Sequence, residues 1–157
     1  MYDLDPSAFS ALPAAFYASQ APTPLPAPYL VAYNGELAEQ LDLPSKPAAP
    51  LPELLGGNRL PAGTQPLAAA YAGHQFGIYV PQLGDGRALL LGELSDRAGQ
   101  RHEVQLKGAG RTPFSRGADG RAVLRSTIRE YLASEAMHGL GIPTRPAARR
   151  PWTTSAA

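Results

Sequence analysis

The chain has no cysteine, two methionines, one tryptophan and three histidines in 157 residues. Without thiols, disulfides, thiolate metal sites and a cysteine nucleophile are all excluded. His74, His102 and His138 lie far apart with no ligand spacing, so a histidine metal centre is not predicted. Charge is also scarce, at 17% of residues with a formal net charge of +1, so global charge points to no nucleic-acid or membrane partner. No apolar run approaches the ~20 residues a transmembrane helix needs. The opening MYDLDPSAFS is acidic and lacks the basic and apolar regions of a signal peptide, so a cytoplasmic protein is expected. A hydrophobic content of 44% suits a soluble domain with a core.

Proline is abundant and unevenly placed: twelve of the 17 lie in residues 1–66. APTPLPAPYL (residues 21–30) has proline at every second position from 22 to 28, which predicts an extended strap or linker, or a ligand for another protein's groove. NGELAEQLDLP (34–44) reads as a short helix with Leu37, Ala38 and Leu41 on one face, ended by Pro44.

From residue 67 the pattern changes. FGIYV (76–80) and RALLLGEL (87–94) read as strands joined by a turn at PQLGDG (81–86), which predicts a glycine-rich hairpin. SDRAGQ (95–100) is a second turn, and RHEVQLKG (101–108) alternates like a half-buried strand. After a glycine-rich loop, Leu124, Ile128, Tyr131, Leu132 and Glu135 recur at helical spacing and predict one main helix. Asp119 is a plausible cap at its start, and Gly139 or Gly141 at its end, before Pro143.

Positive charge concentrates here. Residues 101–130 carry seven Lys and Arg against Glu103, Asp119 and Glu130, a local excess of +4 on a body of −3. That distribution suits a compact anion better than a long polyanion. LGDGR (83–87) lets the backbone approach a phosphate, with Arg87 as a bidentate donor, but Asp-Gly turns also occur in hairpins that bind nothing. Lys107 ends a strand beside this turn, where kinase-like folds place a phosphate-holding lysine oriented by a helix glutamate; a solvated lysine is the alternative. Glu130 is the first choice for that partner and Glu135 the second. Asp119 and Gly120 sit at the mouth of the predicted helix, where they cap it or meet a ligand. No Walker-type loop occurs, and GAGRTPFSRG lacks the opening helix of a dinucleotide fingerprint. Ser115, Ser126 and Thr127 have no adjacent base that would make a nucleophile.

YAGHQFGIYVPQLGDGRALLLGE (71–93), EVQLKGAGRTPFSR (103–116) and ADGRAVLRSTIREYLASEAMHGLGIPT (118–144) closely resemble the SelO family, also called YdiU. The resemblance covers roughly residues 9–144 and includes GNRL at 57–60. It implies an α+β, kinase-like N-terminal lobe with a proline-rich extension. The activity it implies is transfer of AMP from ATP to Ser, Thr or Tyr hydroxyls of proteins, with Mg²⁺. The family's nucleotide-binding positions fall on Gly84, Gly86, Arg87, Lys107, Asp119 and Gly120, and its lysine partner on Glu130. Three divisions follow: an extension over 1–66, a nucleotide-binding lobe over 67–144, and a tail over 145–157 that departs from the family and has no strand pattern. Family members are several times longer, so the lobe reads as truncated or shifted in frame. The catalytic base and metal ligands are expected elsewhere, leaving this chain inactive alone and its lobe face apolar. Its expected partners are ATP and protein substrates. A non-catalytic ATP-binding or interaction fragment and a basic nucleic-acid module are the competing readings.

Overall fold

The computed structural model describes residues 3–142 and the backbone of residues 152–154. One all-antiparallel five-stranded sheet is built from β1 (Tyr17–Ser19), β3 (Leu67–Gln75), β4 (Ile78–Gly84), β5 (Ala88–Ser95) and β6 (Arg101–Lys107). β5 lies between β3 and β6, and its unbroken apolar run, Ala88 to Gly92, is buried together with Glu93 that follows it, as a strand covered on both faces requires. The core gathers Ala68, Leu89, Leu91, Leu106 and Ala109, with Leu4, Leu60, Val104 and Phe114 packed around them.

The predicted hairpin is arranged differently. Its first strand begins at Ile78 and extends to Gly84, and its partner is β3, not β5. The turn is Phe76–Gly77, with φ of 52° and 78°, the left-handed pair that a two-residue hairpin loop demands. β4 and β5 both run antiparallel to β3, with Ala70 opposite Gly84 and Leu67 opposite Leu90. Three steps back along β3 therefore match six forward along the other strands. The extra residues, 85–87, bulge out between two nearly continuous strands, so LGDGR is a bulge rather than a hairpin turn.

α1 (Gly35–Gln40) is capped by Asn34, whose Oδ1 accepts from the Leu37 N–H at 2.9 Å, and it ends before Pro44 is reached. A short helix, α2 (Leu51–Leu55), follows. The main helix, α3 (Leu124–Gly139), starts later than predicted, with Val123 at its N-cap and no side-chain cap. Its end is closed by Gly141 at φ 69°, with Gly141 N–H bonded to His138 O and Ile142 N–H to Met137 O, both at 3.0 Å. The face that α3 turns inward is not its aliphatic one. Thr127 and Ser134 are buried, whereas Leu124, Ile128 and Leu132 are exposed. Glu130 sits on the inward face, and the small hydroxyl residues beside it let the helix lie close.

The proline-rich strap is docked on the molecule. Thr23 N–H donates to Ala109 O at 2.8 Å, and the Asn58 side-chain amide pairs with both backbone groups of Leu25 at 2.9 and 2.7 Å. Residues 143–151 and 155–157, which include most of the tail, lie outside the described residues. Contrary to the absence of a strand pattern, β7 (Trp152–Thr154) pairs antiparallel with β2 (Tyr29–Ala32), whose edge offers open backbone groups. Among the described residues no helix is long and apolar enough to cross a membrane.

Candidate functional site

Strand register puts Lys107 beside the bulge. Lys107 is opposite Ala88 in the β5–β6 ladder, and Arg87 O accepts from Gly108 N–H at 2.6 Å and from Ala109 N–H at 3.2 Å. Arg87 and Lys107 are thus neighbours on adjacent strands. Both turn to one carboxylate on α3: Lys107 Nζ is 2.6 Å from Glu130 Oε2, and Arg87 Nη2 is 3.7 Å from Oε1. The second choice, Glu135, faces elsewhere and accepts from Asn34 Nδ2 at 3.4 Å.

Gly84 precedes the bulge and Gly86 lies within it, both under the 112–115 turn. A Cβ at Gly84 would run into the Phe114 ring, and one at Gly86 would lie 2.8 Å from Phe114 O. Both glycines are required by this close approach. Between them Asp85 is held on three sides. Its N–H donates to Ala69 O at 2.8 Å, and its carboxylate accepts from Tyr71 Oη at 3.3 Å and Gln105 Nε2 at 3.4 Å. Burial first, and then the Asp85 carboxylate, push the Tyr71 hydroxyl above its ordinary range, with Arg116 opposing. A cavity of about 310 Å³ opens beside the bulge, lined by residues including Tyr71, Gln75, Leu83, Gly84, Phe114 and Arg116.

Asp119 and Gly120 are placed near this group but are not joined to it. Gly120 adopts φ 72° and packs on the Gly110–Arg111 backbone, and its carbonyl accepts from Gly110 N–H at 3.2 Å. Asp119 does not cap α3, which starts at Leu124; its Oδ1 accepts from Arg121 N–H at 2.8 Å and closes a local turn. Arg121 in turn donates to Thr23 O at 3.0 Å and Pro24 O at 3.1 Å, clamping the strap over the glycine loop. Arg111 likewise donates to Gly117 O and Ala118 O, both at 2.9 Å.

Sequence reasoning did not single out Asp85, Thr112, Phe114 or Arg121. Only Thr112 had a local signal, the Thr-Pro-x-Ser turn pattern; the others are revealed by long-range contacts. Ser115 and Thr127 do have partners, but these are backbone carbonyls rather than bases: Gly86 O at 2.5 Å and Val123 O at 3.2 Å. Among the described residues no group of three or more His, Asp or Glu is placed to hold a metal. Asp85 and Glu130 are already engaged by neighbouring side-chain donors and Asp119 by the Arg121 N–H, so these residues do not fit a Mg²⁺ site.

Comparison with known proteins agrees with the sequence motifs. The chain is 61% identical over 140 residues to the protein nucleotidyltransferase YdiU of Thiobacillus denitrificans, covering 87% of this chain and 28% of the relative. It is 60% identical over 133 residues to that of Cereibacter sphaeroides strain ATCC 17029, covering 82% and 27%. For Dechloromonas aromatica the figures are 59% over 140 residues, 88% and 28%. The chain therefore spans a little over a quarter of the length of these relatives. The family described as protein adenylyltransferase SelO matches residues 4–149, which takes in the bulge, Lys107 and the whole of α3, and the chain belongs to that family.

Proposed function

We propose that this chain forms the nucleotide-holding part of a protein adenylyltransferase, which moves AMP from ATP to Ser, Thr or Tyr hydroxyls of proteins. The observation that carries this reading is the convergence of Arg87 and Lys107 on Glu130 beside a glycine-lined bulge. Two cations held by one carboxylate keep a net positive charge. A guanidinium and an ammonium together suit oxygens spread over a polyphosphate. In the reaction an attacking hydroxyl displaces pyrophosphate from the α-phosphorus, and charge builds on phosphoryl oxygens that such cations stabilise. Gly84, Gly86, Asp119 and Gly120 complete the nucleotide contacts in this reading.

The base and the Mg²⁺ ligands fall, in this proposal, within the portion of the relatives that the chain does not match. The 157-residue chain alone then binds ATP without transferring AMP. Calorimetric titration with ATP tests the first half: binding is expected, and Lys107→Ala is expected to weaken it at least tenfold. Equal binding by the variant would overturn the role of Lys107. Labelled AMP appearing on any protein incubated with the purified chain would overturn the second half.

A further inference from the structure

The 112–115 turn contacts the bulge through two hydroxyls. Thr112 Oγ1 donates to Asp85 O at 2.7 Å, and Ser115 Oγ donates to Gly86 O at 2.5 Å. Each oxygen also accepts from its own turn, Oγ1 from Phe114 N–H at 3.2 Å and Oγ from Thr112 N–H at 2.9 Å. A hydroxyl has one proton, so accepting from within the turn directs that proton outward to the bulge. Thr112 is only 8% exposed, so water does not readily replace it.

These bonds fix more than two carbonyls. In a trans peptide the C=O of one residue and the N–H of the next lie in one plane and point in opposite directions. Anchoring Asp85 O therefore aims Gly86 N–H away from the turn, and anchoring Gly86 O does the same for Arg87 N–H. Arg87 O is held by Gly108 and Ala109, so three consecutive peptide planes are set. Among the described residues neither Gly86 N–H nor Arg87 N–H has a protein acceptor. A backbone with two successive N–H groups open is suited to an anion.

We propose that Thr112 and Ser115 are positioning residues that latch the bulge so that Gly86 and Arg87 N–H present jointly to a phosphate group of the nucleotide. The proposal rests on the nucleotide-binding reading above. Neither hydroxyl touches the ligand; both act through the peptide planes they anchor.

The test uses the whole chain with ATP as the probe. Thr112→Ala and Ser115→Ala, each with an unchanged circular dichroism spectrum, are expected to weaken ATP binding about fivefold. Thr112→Ser and Ser115→Thr keep the donor and should restore affinity to within about twofold. Amide hydrogen exchange provides an arm that needs no ligand. Asp85 N–H and Gly108 N–H, bonded to Ala69 O and Arg87 O, should exchange about tenfold faster in the alanine variants. Strand amides of Leu90 and Leu106 should not change. Folded alanine variants with wild-type ATP affinity overturn the proposal, as do unchanged rates at Asp85 and Gly108. If the wild-type chain binds no ATP, the nucleotide reading fails; the exchange rates then decide the latch separately, faster exchange supporting it and unchanged exchange removing it.

Discussion

A double-mutant cycle on Lys107 and Glu130 tests the charge arrangement at the centre of the site. At the 2.6 Å separation of Lys107 and Glu130, Coulomb's law in water gives about 1.6 kcal/mol. At the 3.7 Å separation of Arg87 it gives about 1.1 kcal/mol. The Lys107 and Glu130 side chains are 27% and 35% exposed and that of Arg87 is 42%, so solvent screens both pairs. Holding a lysine in one geometry also costs side-chain entropy, up to about 2 kcal/mol. A coupling of about 0.5–1 kcal/mol is expected for Lys107–Glu130, and less for Arg87–Glu130. The order of the single variants follows from the geometry. Glu130→Gln strips both cations of their counter-charge and leaves them facing each other. Lys107→Met leaves the carboxylate with Arg87. Glu130→Gln should therefore destabilise more than Lys107→Met. Urea denaturation at 0.1 and 1 M salt, where the screening length falls from about 10 to about 3 Å, reads both quantities. Coupling that vanishes at 0.1 M, or Lys107→Met proving the more damaging change, would refute the reasoning.

Gly84→Ala should cost about 1–3 kcal/mol in urea denaturation, because the new methyl meets the Phe114 ring near its attachment point rather than a flexible tip. At the β5–β6 turn, the hydrogen bond from His102, followed by the Gln100 N–H, holds the Asp96 carboxyl below the usual carboxylate range. A depressed folded-state value means the stabilisation is complete above about pH 4 and is lost as pH falls through the lowered value. Asp96→Asn should thus flatten the acid limb of the stability curve below about pH 4. The exposed stripe of Leu124, Ile128 and Leu132 on α3 should drive self-association, and Ile128→Lys with Leu132→Lys should abolish its concentration dependence in sedimentation velocity.

Legibility from sequence followed the range of the interactions involved. β5 and β6 were readable because burial on two faces and on one face leave an unbroken run and an alternation, respectively. The turn at residues 95–100 was readable because it is closed locally, by Asp96 accepting from Ala98 and Gln100 N–H. The β4–β5 junction was misplaced because glycine and aspartate signal a bulge as strongly as a turn, and only pairing with β3 distinguishes them. On α3 the leucine and isoleucine spacing marked an apolar face but could not say that it points outward. The inward face is defined by Glu130, which Lys107 and Arg87 engage from 23 and more residues away in sequence. Asp119 looked like a helix cap because it precedes a helical pattern, yet Arg121 N–H satisfies it first.

Much of the local charge excess is spent inside the fold. A row of arginines reading a nucleic-acid backbone must offer its donors outward along one line. Here Arg111 spends donors on Gly117 and Ala118 carbonyls, Arg121 on Thr23 and Pro24, and Arg116 on Gln75 at 2.6 Å. Those bonds tie the strap, the glycine loop and the β3–β4 hairpin to one another. Arg125 and Arg129 stay exposed on α3, whereas Arg87 and Lys107 meet one carboxylate, beside two backbone N–H groups whose direction the 112–115 turn sets. Under the proposed function, the cations and directional donors at the bulge act together on one phosphate group, and the exposed arginines of α3 lie outside that contact.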